Sequence, residues 1–97
     1  MSFVRIGTFQ VKPDQIDILI STFERAVQPA MRGAEGNLAA YLLRQHGSTT
    51  FLACTIWRNS DDATRYEQSG AAAENVGKLR PTFAGPPALT TYDGYGG

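Results

Sequence analysis

An α+β fold with its elements in the order β-α-β-β-α-β is what this sequence predicts, and three observations predict it. Two stretches, 3-FVRIGTFQV-11 and 49-TTFLACTIW-57, are rich in the β-branched and aromatic residues that favour strands. Between them, Ile16, Leu19, Ile20, Phe23 and Val27 recur at helical spacing, so a helix should bury one face there. Gly47, within 46-HGS-48, can take the positive φ of a tight turn and joins 38-LAAYLLRQ-45 to 49-TTFLACTIW-57 as a β-hairpin.

Each element has its own justification along the chain. After the first strand, 12-KPDQ-15 opens a helix, with Pro13 in the first turn and Asp14 and Asp17 near the positive helix end. Ile18 lies off the apolar stripe and faces a neighbour or solvent. Pro29 has no N–H and should bend or end the helix near Gln28, with a last turn through Met31 still open, before the break at 33-GAEGN-37. Past the hairpin, Asn59 or Ser60 can cap a short helix that begins with Asp61 and Asp62 and stops by 69-SG-70. A further helix, about Ala72 to Arg80, presents Val76 and Leu79 and then Phe83, and Pro81 and 85-GPP-87 end it. A fourth strand, 88-ALTTYD-93, follows. The chain reads as one domain over 1–97, with an ordered core at about 3–93 and a flexible tail at 94–97.

This order is the split βαβ, ferredoxin-like arrangement. Right-handed crossovers put both helical layers on one face of a four-stranded antiparallel sheet. Yet 51-FLACTIW-57 is apolar on both sides: Phe51, Ala53, Thr55 and Trp57 point one way, and Leu52, Cys54 and Ile56 the other. Helices cover only one of those sides. At about 25 cal/mol per Å² of apolar surface, leaving the other bare is costly, and a second copy of the sheet is the economical cover. A homodimer through the open sheet face is therefore expected; a monomer with a partly wet sheet is the alternative.

Composition narrows the functions. Nine Lys and Arg balance nine Asp and Glu, and no basic run occurs, which argues against nucleic acid as a partner. The longest apolar run, 38-LAAYLL-43, has six residues, where a membrane span needs about 20. The start, 1-MSFVRIG-7, is too short and polar for a signal peptide, and one cysteine cannot form an internal disulfide, so a cytoplasmic location is expected. No His, Cys and carboxylate set has metal-ligand spacing, and neither a phosphate-cradling glycine loop nor a Ser-His-Asp set can be assembled.

The segments 11-VKPD-14, 28-QPAMRGAEGNLAAYLLR-44, 57-WRNSDDA-63, 69-SGAAAENVGKLRP-81 and 84-AGPP-87 resemble the antibiotic biosynthesis monooxygenase (ABM) superfamily, over about residues 3 to 93. The resemblance implies a dimeric α+β barrel. It also implies one of several activities: cofactor-free oxygenation of phenols, anthrones or quinols, haem degradation, or chemistry on small signalling molecules. In the polyketide-oxidising members a Trp at the end of the third strand lines a cavity, which points to Trp57. The same side chain could instead plug the end of the core. That branch also carries an Asn four positions before this Trp and a Tyr six after it, where this chain has Ala53 and Ala63. Tyr66, one helical turn beyond Ala63, could project a phenol into the same cavity or be an ordinary rim tyrosine. The haem degraders' Asn, Trp and His fall at Gly7, Tyr66 and Val76, so the axial ligand is missing and haem is not expected.

Other candidates are weaker. His46 sits at the hairpin turn beside Gly47, which lies roughly 33 Å from Trp57 along a straight strand, so one compact site cannot hold both. Lys78 and Arg80 could draw in an anion or simply complement the helix end. Arg5, if it points into the cleft, needs a carboxylate or a ligand as partner, and Cys54 reads as an inert buried thiol. The expected site is thus a cleft lined by Phe9, Phe23, Trp57, Tyr66 and Phe83, binding a small, flat, phenolic or quinol-like molecule. Tyr66 and Trp57 are the expected catalytic groups, and no cofactor or metal is expected. The other reading is a non-catalytic binding or assembly module, which Ala53 and Ala63 favour.

Overall fold

Strand β1 (Ser2–Gln10) organises the sheet of the computed structural model, which describes residues 1–96. It pairs antiparallel with β3 (Thr50–Trp57) on one side and β4 (Ala88–Gly94) on the other, and β2 (Asn37–Arg44) flanks β3. The resulting order is β2-β3-β1-β4. Gly47 closes the β2–β3 turn at φ 72°, and the Gln45 N–H donates to the Thr50 carbonyl at 2.9 Å. Gly94 closes β4, and Gly97, at the end of the expected flexible tail, lies outside the described residues.

In the first crossover Pro29 alters the helix without ending it, and the open last turn through Met31 forms. A 3₁₀ turn at Pro13–Gln15 leads into α1 (Ile16–Thr22), a π turn follows at Phe23–Val27, and α2 (Gln28–Arg32) completes the run. The helix does not end near Gln28. Pro29 has no N–H to offer and its ring crowds the carbonyl four residues earlier. The turn just before it widens instead, with the Gln28 N–H donating to Phe23 five residues back. That widening lets the helix continue through Arg32 and turns both Phe23 and Val27 inward, where they are buried. Ile18, off the stripe, is exposed.

The second crossover is split, as the 69-SG-70 break predicts. Asn59 caps α3 (Ser60–Gln68), its side-chain oxygen accepting from the Asp62 N–H at 2.9 Å. Gly70, at φ 86°, turns the chain into α4 (Ala71–Leu79). The buried Asp62 carboxylate accepts from Arg58 Nε at 2.9 Å and Arg65 Nη1 at 2.8 Å. The Arg58 hydrogen bond above all holds its carboxyl below the usual carboxylate range. Gly36, at φ 80°, lies so close to this carboxylate that any Cβ there would collide with it. Beyond α4, a 3₁₀ turn at Arg80–Thr82 is tied back to the end of β1 by a Val11–Phe83 bridge and by the Ala84 N–H donating to Gln10 at 2.8 Å.

Helices cover one sheet face only. Register pairs Phe9 with Phe51 and Phe3 with Trp57 on that side, and the core gathers there around Phe51, Trp57, Leu19 and Val11. Alternation puts Val4, Ile6, Leu52, Cys54 and Ile56 on the opposite face, beside the exposed Tyr41, Leu43 and Tyr92 of the edge strands. Among the described residues no helix is long and apolar enough to cross a membrane.

Candidate functional site

Where the sheet carries small side chains, the helices leave room above it. Gly7 of β1 and Ala53 of β3 are register partners, flanked by Phe9–Phe51 on one side and Arg5–Thr55 on the other. A cavity of about 130 Å³ opens over this small pair, walled by Phe23, Met31, Trp57, Tyr66 and Val76. Ala72 and Leu79 of α4 complete the helical wall. Leu89 of the edge strand β4 also borders the cavity while 57% exposed, so the mouth lies at that edge. Two larger hollows, of about 310 and 290 Å³, are more open and are bordered by charged side chains such as Glu35 and Arg65, or Glu24 and Arg44.

The five residues expected to line the cleft separate into two groups. Phe23, Trp57 and Tyr66 border the cavity. Phe9 and Phe83 do not: they pack on each other with ring centres 4.3 Å apart, and Phe9 stacks on Phe51 at 6.4 Å, filling the layer toward the other end of β1. His46 is exposed on the hairpin turn, away from all of them.

Trp57 is fully buried and its ring lies 5.0 Å from that of Tyr66. Its Nε1–H donates to Thr55 Oγ1 at 2.9 Å, so the donor expected to face a ligand is already engaged within the wall. The Tyr66 hydroxyl donates to Met31 Sδ at 2.7 Å and accepts from Asn75 Nδ2, while Lys78 Nζ donates to Asn75 Oδ1 at 3.1 Å. Burial, foremost, pushes the phenol pKa up, although the Asn75 hydrogen bond works against it. Tyr66 therefore stays protonated at neutral pH and can donate a hydrogen bond but cannot serve as a base. A thioether is a weak acceptor, so a ligand oxygen could replace Met31 as the partner of that O–H at little cost.

Arg5 does point into the cleft. Its side chain is 13% exposed, and its guanidinium pairs with Glu67 of α3 at 2.9 Å. Cys54 lies on the opposite sheet face, and burial raises its thiol pKa. Val76, at the position of the haem degraders' axial ligand, borders the cavity with a side chain that binds no metal. Among the described residues no group of three His, Cys, Asp or Glu side chains is placed to hold a metal ion. Sequence reasoning missed Asn75, Met31 and Thr55. Asn75 carries a signal all the same: it is the polar member of the α4 stripe Ala72, Asn75, Val76, Leu79, and a polar residue on a buried stripe needs a partner.

Comparison with known proteins agrees with this architecture. The sequence profile of the family described as antibiotic biosynthesis monooxygenase matches residues 2–77. A search of curated proteins returned no match. Among solved structures, SnoaB, a cofactor-independent oxygenase from Streptomyces nogalater, superposes with a TM-score of 0.81 at 15% identity, covering 99% of this chain and 95% of that one. Rv0793 from Mycobacterium tuberculosis gives 0.77 at 14% identity over 100% and 98% of the two chains. A conserved protein of Methanosarcina mazei gives 0.80 at 12% identity over 95% and 91%. At these identities the structural likeness establishes the fold.

Proposed function

Because the chain belongs to the antibiotic biosynthesis monooxygenase family, we propose that it is a cofactor-independent monooxygenase of a small, flat, phenolic or quinol-type substrate. The observation that carries this reading is the apolar cavity beneath Trp57, with a protonated tyrosine hydroxyl at its wall. That SnoaB, of the same fold, is a cofactor-independent oxygenase supports it.

In such a reaction the substrate, as its phenolate or enolate, itself reduces O₂. One oxygen atom enters the ring system and the other leaves as water, so a phenol plus O₂ gives a quinone plus water without an external reductant. The protein contributes desolvation, orientation and a hydrogen bond to the developing oxyanion. Tyr66 is the donor in this scheme, and Trp57, fully buried behind it, stiffens the apolar wall against which the ring is held. Asn75 is a positioning residue: it donates to the Tyr66 oxygen and does not itself line the cavity.

Oxygen uptake with a panel of anthrones, quinols and simple phenols tests the proposal. Tyr66→Phe should lower kcat by about a hundredfold, the cost of one oxyanion donor, and Trp57→Phe should weaken both binding and turnover. A panel that is neither bound nor consumed refutes the reading. Binding without oxygen uptake would favour the second one, a non-catalytic binding module. The engaged Trp57 N–H and the alanines at 53 and 63 speak for that reading.

The same proposal includes a homodimer in the cytoplasm, where a lone thiol such as Cys54 stays reduced. Its interface would be the uncovered face around Leu52, Ile56 and Val4. Sedimentation equilibrium should return twice the chain mass of 10.5 kDa, and a monomer at micromolar concentration would rule this assembly out.

A further inference from the structure

We infer that Arg5 makes the cavity a site for a single-ring phenol that carries a carboxylate, the acid on the guanidinium and the ring over the Gly7–Ala53 floor. This rests on the proposed oxygenase reading for the phenol, and on two further observations for the ring count and the charge.

The ring count follows from volume. An apolar protein cavity of about 150 Å³ takes up one benzene molecule, and this one holds about 130 Å³. A single ring fits with little adjustment. Two or three fused rings would have to project through the mouth at β4 or displace Phe23, Met31 or Tyr66, whose hydroxyl Asn75 holds.

The charge follows from Arg5. It is the only charged side chain bordering the cavity among the described residues, and it sits one sheet position from the Gly7–Ala53 floor. A guanidinium carries five N–H donors, yet among the described residues Glu67 is the only ion-pair partner it has. The two are unequally placed: the Arg5 side chain is 13% exposed, whereas that of Glu67 is 58% exposed. A carboxylate largely in water is a screened and weak partner. A cation withdrawn from water gains far more from an anion beside it in the same apolar surroundings, where a bidentate pair can form. No acidic side chain among the described residues lines the cavity to fill that role. The acid of the ligand would fill it, and Glu67 would swing out to solvent.

Three probes separate the terms: 4-hydroxybenzoate, 4-methylphenol (the same ring and hydroxyl without the charge) and 6-hydroxy-2-naphthoate (the same charge with two rings). Trp57 is the chain's one tryptophan, so its single indole N–H resonance reports binding in an NMR titration. We expect 4-hydroxybenzoate to bind at least tenfold tighter than 4-methylphenol and than the naphthoate. Arg5→Met should erase the preference over 4-methylphenol. Glu67→Gln, a surface change that frees the guanidinium, should tighten 4-hydroxybenzoate by three- to tenfold and leave 4-methylphenol unaltered; this arm decides the matter should Arg5→Met fail to fold. Equal affinity for the charged and neutral rings, a preference that survives Arg5→Met, no response to Glu67→Gln, or tighter binding of the naphthoate would each overturn the inference. None of these titrations involves oxygen. Charge preference without turnover therefore overturns only the oxygenase reading, and turnover of neutral quinols without charge preference overturns only this one.

Discussion

The two ends of the layer between sheet and helices are built from the same kinds of residue and do opposite things. At one end Phe51 is fully buried, Phe9 stacks on it and packs tilted against Phe83, and none of the three rings borders the cavity. At the other, Trp57 and Tyr66 meet at 5.0 Å but stand over Gly7 and Ala53, and the missing side-chain volume becomes the cavity. The difference lies in one register step. Phe9 faces Phe51 across β1 and β3, and two residues along, on the same face, Gly7 faces Ala53. Large paired with large makes core, and small paired with small makes a site. Aromatic content alone does not tell the two ends apart.

The sharpest way to break that comparison is to remove a ring from the solid end. Phe51→Ala deletes a fully buried side chain that stacks on Phe9 and carries the Arg44 guanidinium over its face. Loss of transfer energy together with the cavity left behind should cost about 3–5 kcal/mol, read by urea denaturation. A cost below about 1 kcal/mol would mean that this end is as loosely filled as the other.

Much of the architecture could be read from the chain because it follows from period and punctuation. The hairpin needs only Gly47 between two strand-like runs, and α3 announces itself through Asn59 before two aspartates. The uncovered apolar face follows from 51-FLACTIW-57 being apolar on both sides. The π turn escaped because a proline's missing N–H shows in the sequence only as a bend or an end, whereas burial of Leu19, Phe23, Val27 and Met31 along the whole run favours widening and continuing. The division of the aromatics escaped for a different reason. Phe9 and Phe83 look as suitable for a cleft as Phe23 does until register sets Phe9 against Phe51, and register is a tertiary fact. The pairing of Arg5 with Glu67, 62 positions along the chain, is tertiary in the same way. What was visible in Arg5 was the need for a partner, not its identity.

A smaller effect probes the open end. Ala53→Leu points a branched side chain into the cavity beside Gly7, where an added Cβ would meet nothing within 4 Å. Filling an existing void should raise stability slightly, by about 0.5–1 kcal/mol, in the same denaturation experiment in which Phe51→Ala is expected to be severely damaged. Occupying the cavity from within should also weaken single-ring ligands at least tenfold, because the volume of about 130 Å³ leaves no space for both. Stability and binding would then move in opposite directions at one position. The contrast between the two ends fails if Ala53→Leu destabilises the protein by several kcal/mol, for the floor would then be as tightly packed as the Phe9–Phe51 end. It fails equally if ligand affinity is untouched, since the ring would then be binding somewhere other than over the Gly7–Ala53 pair.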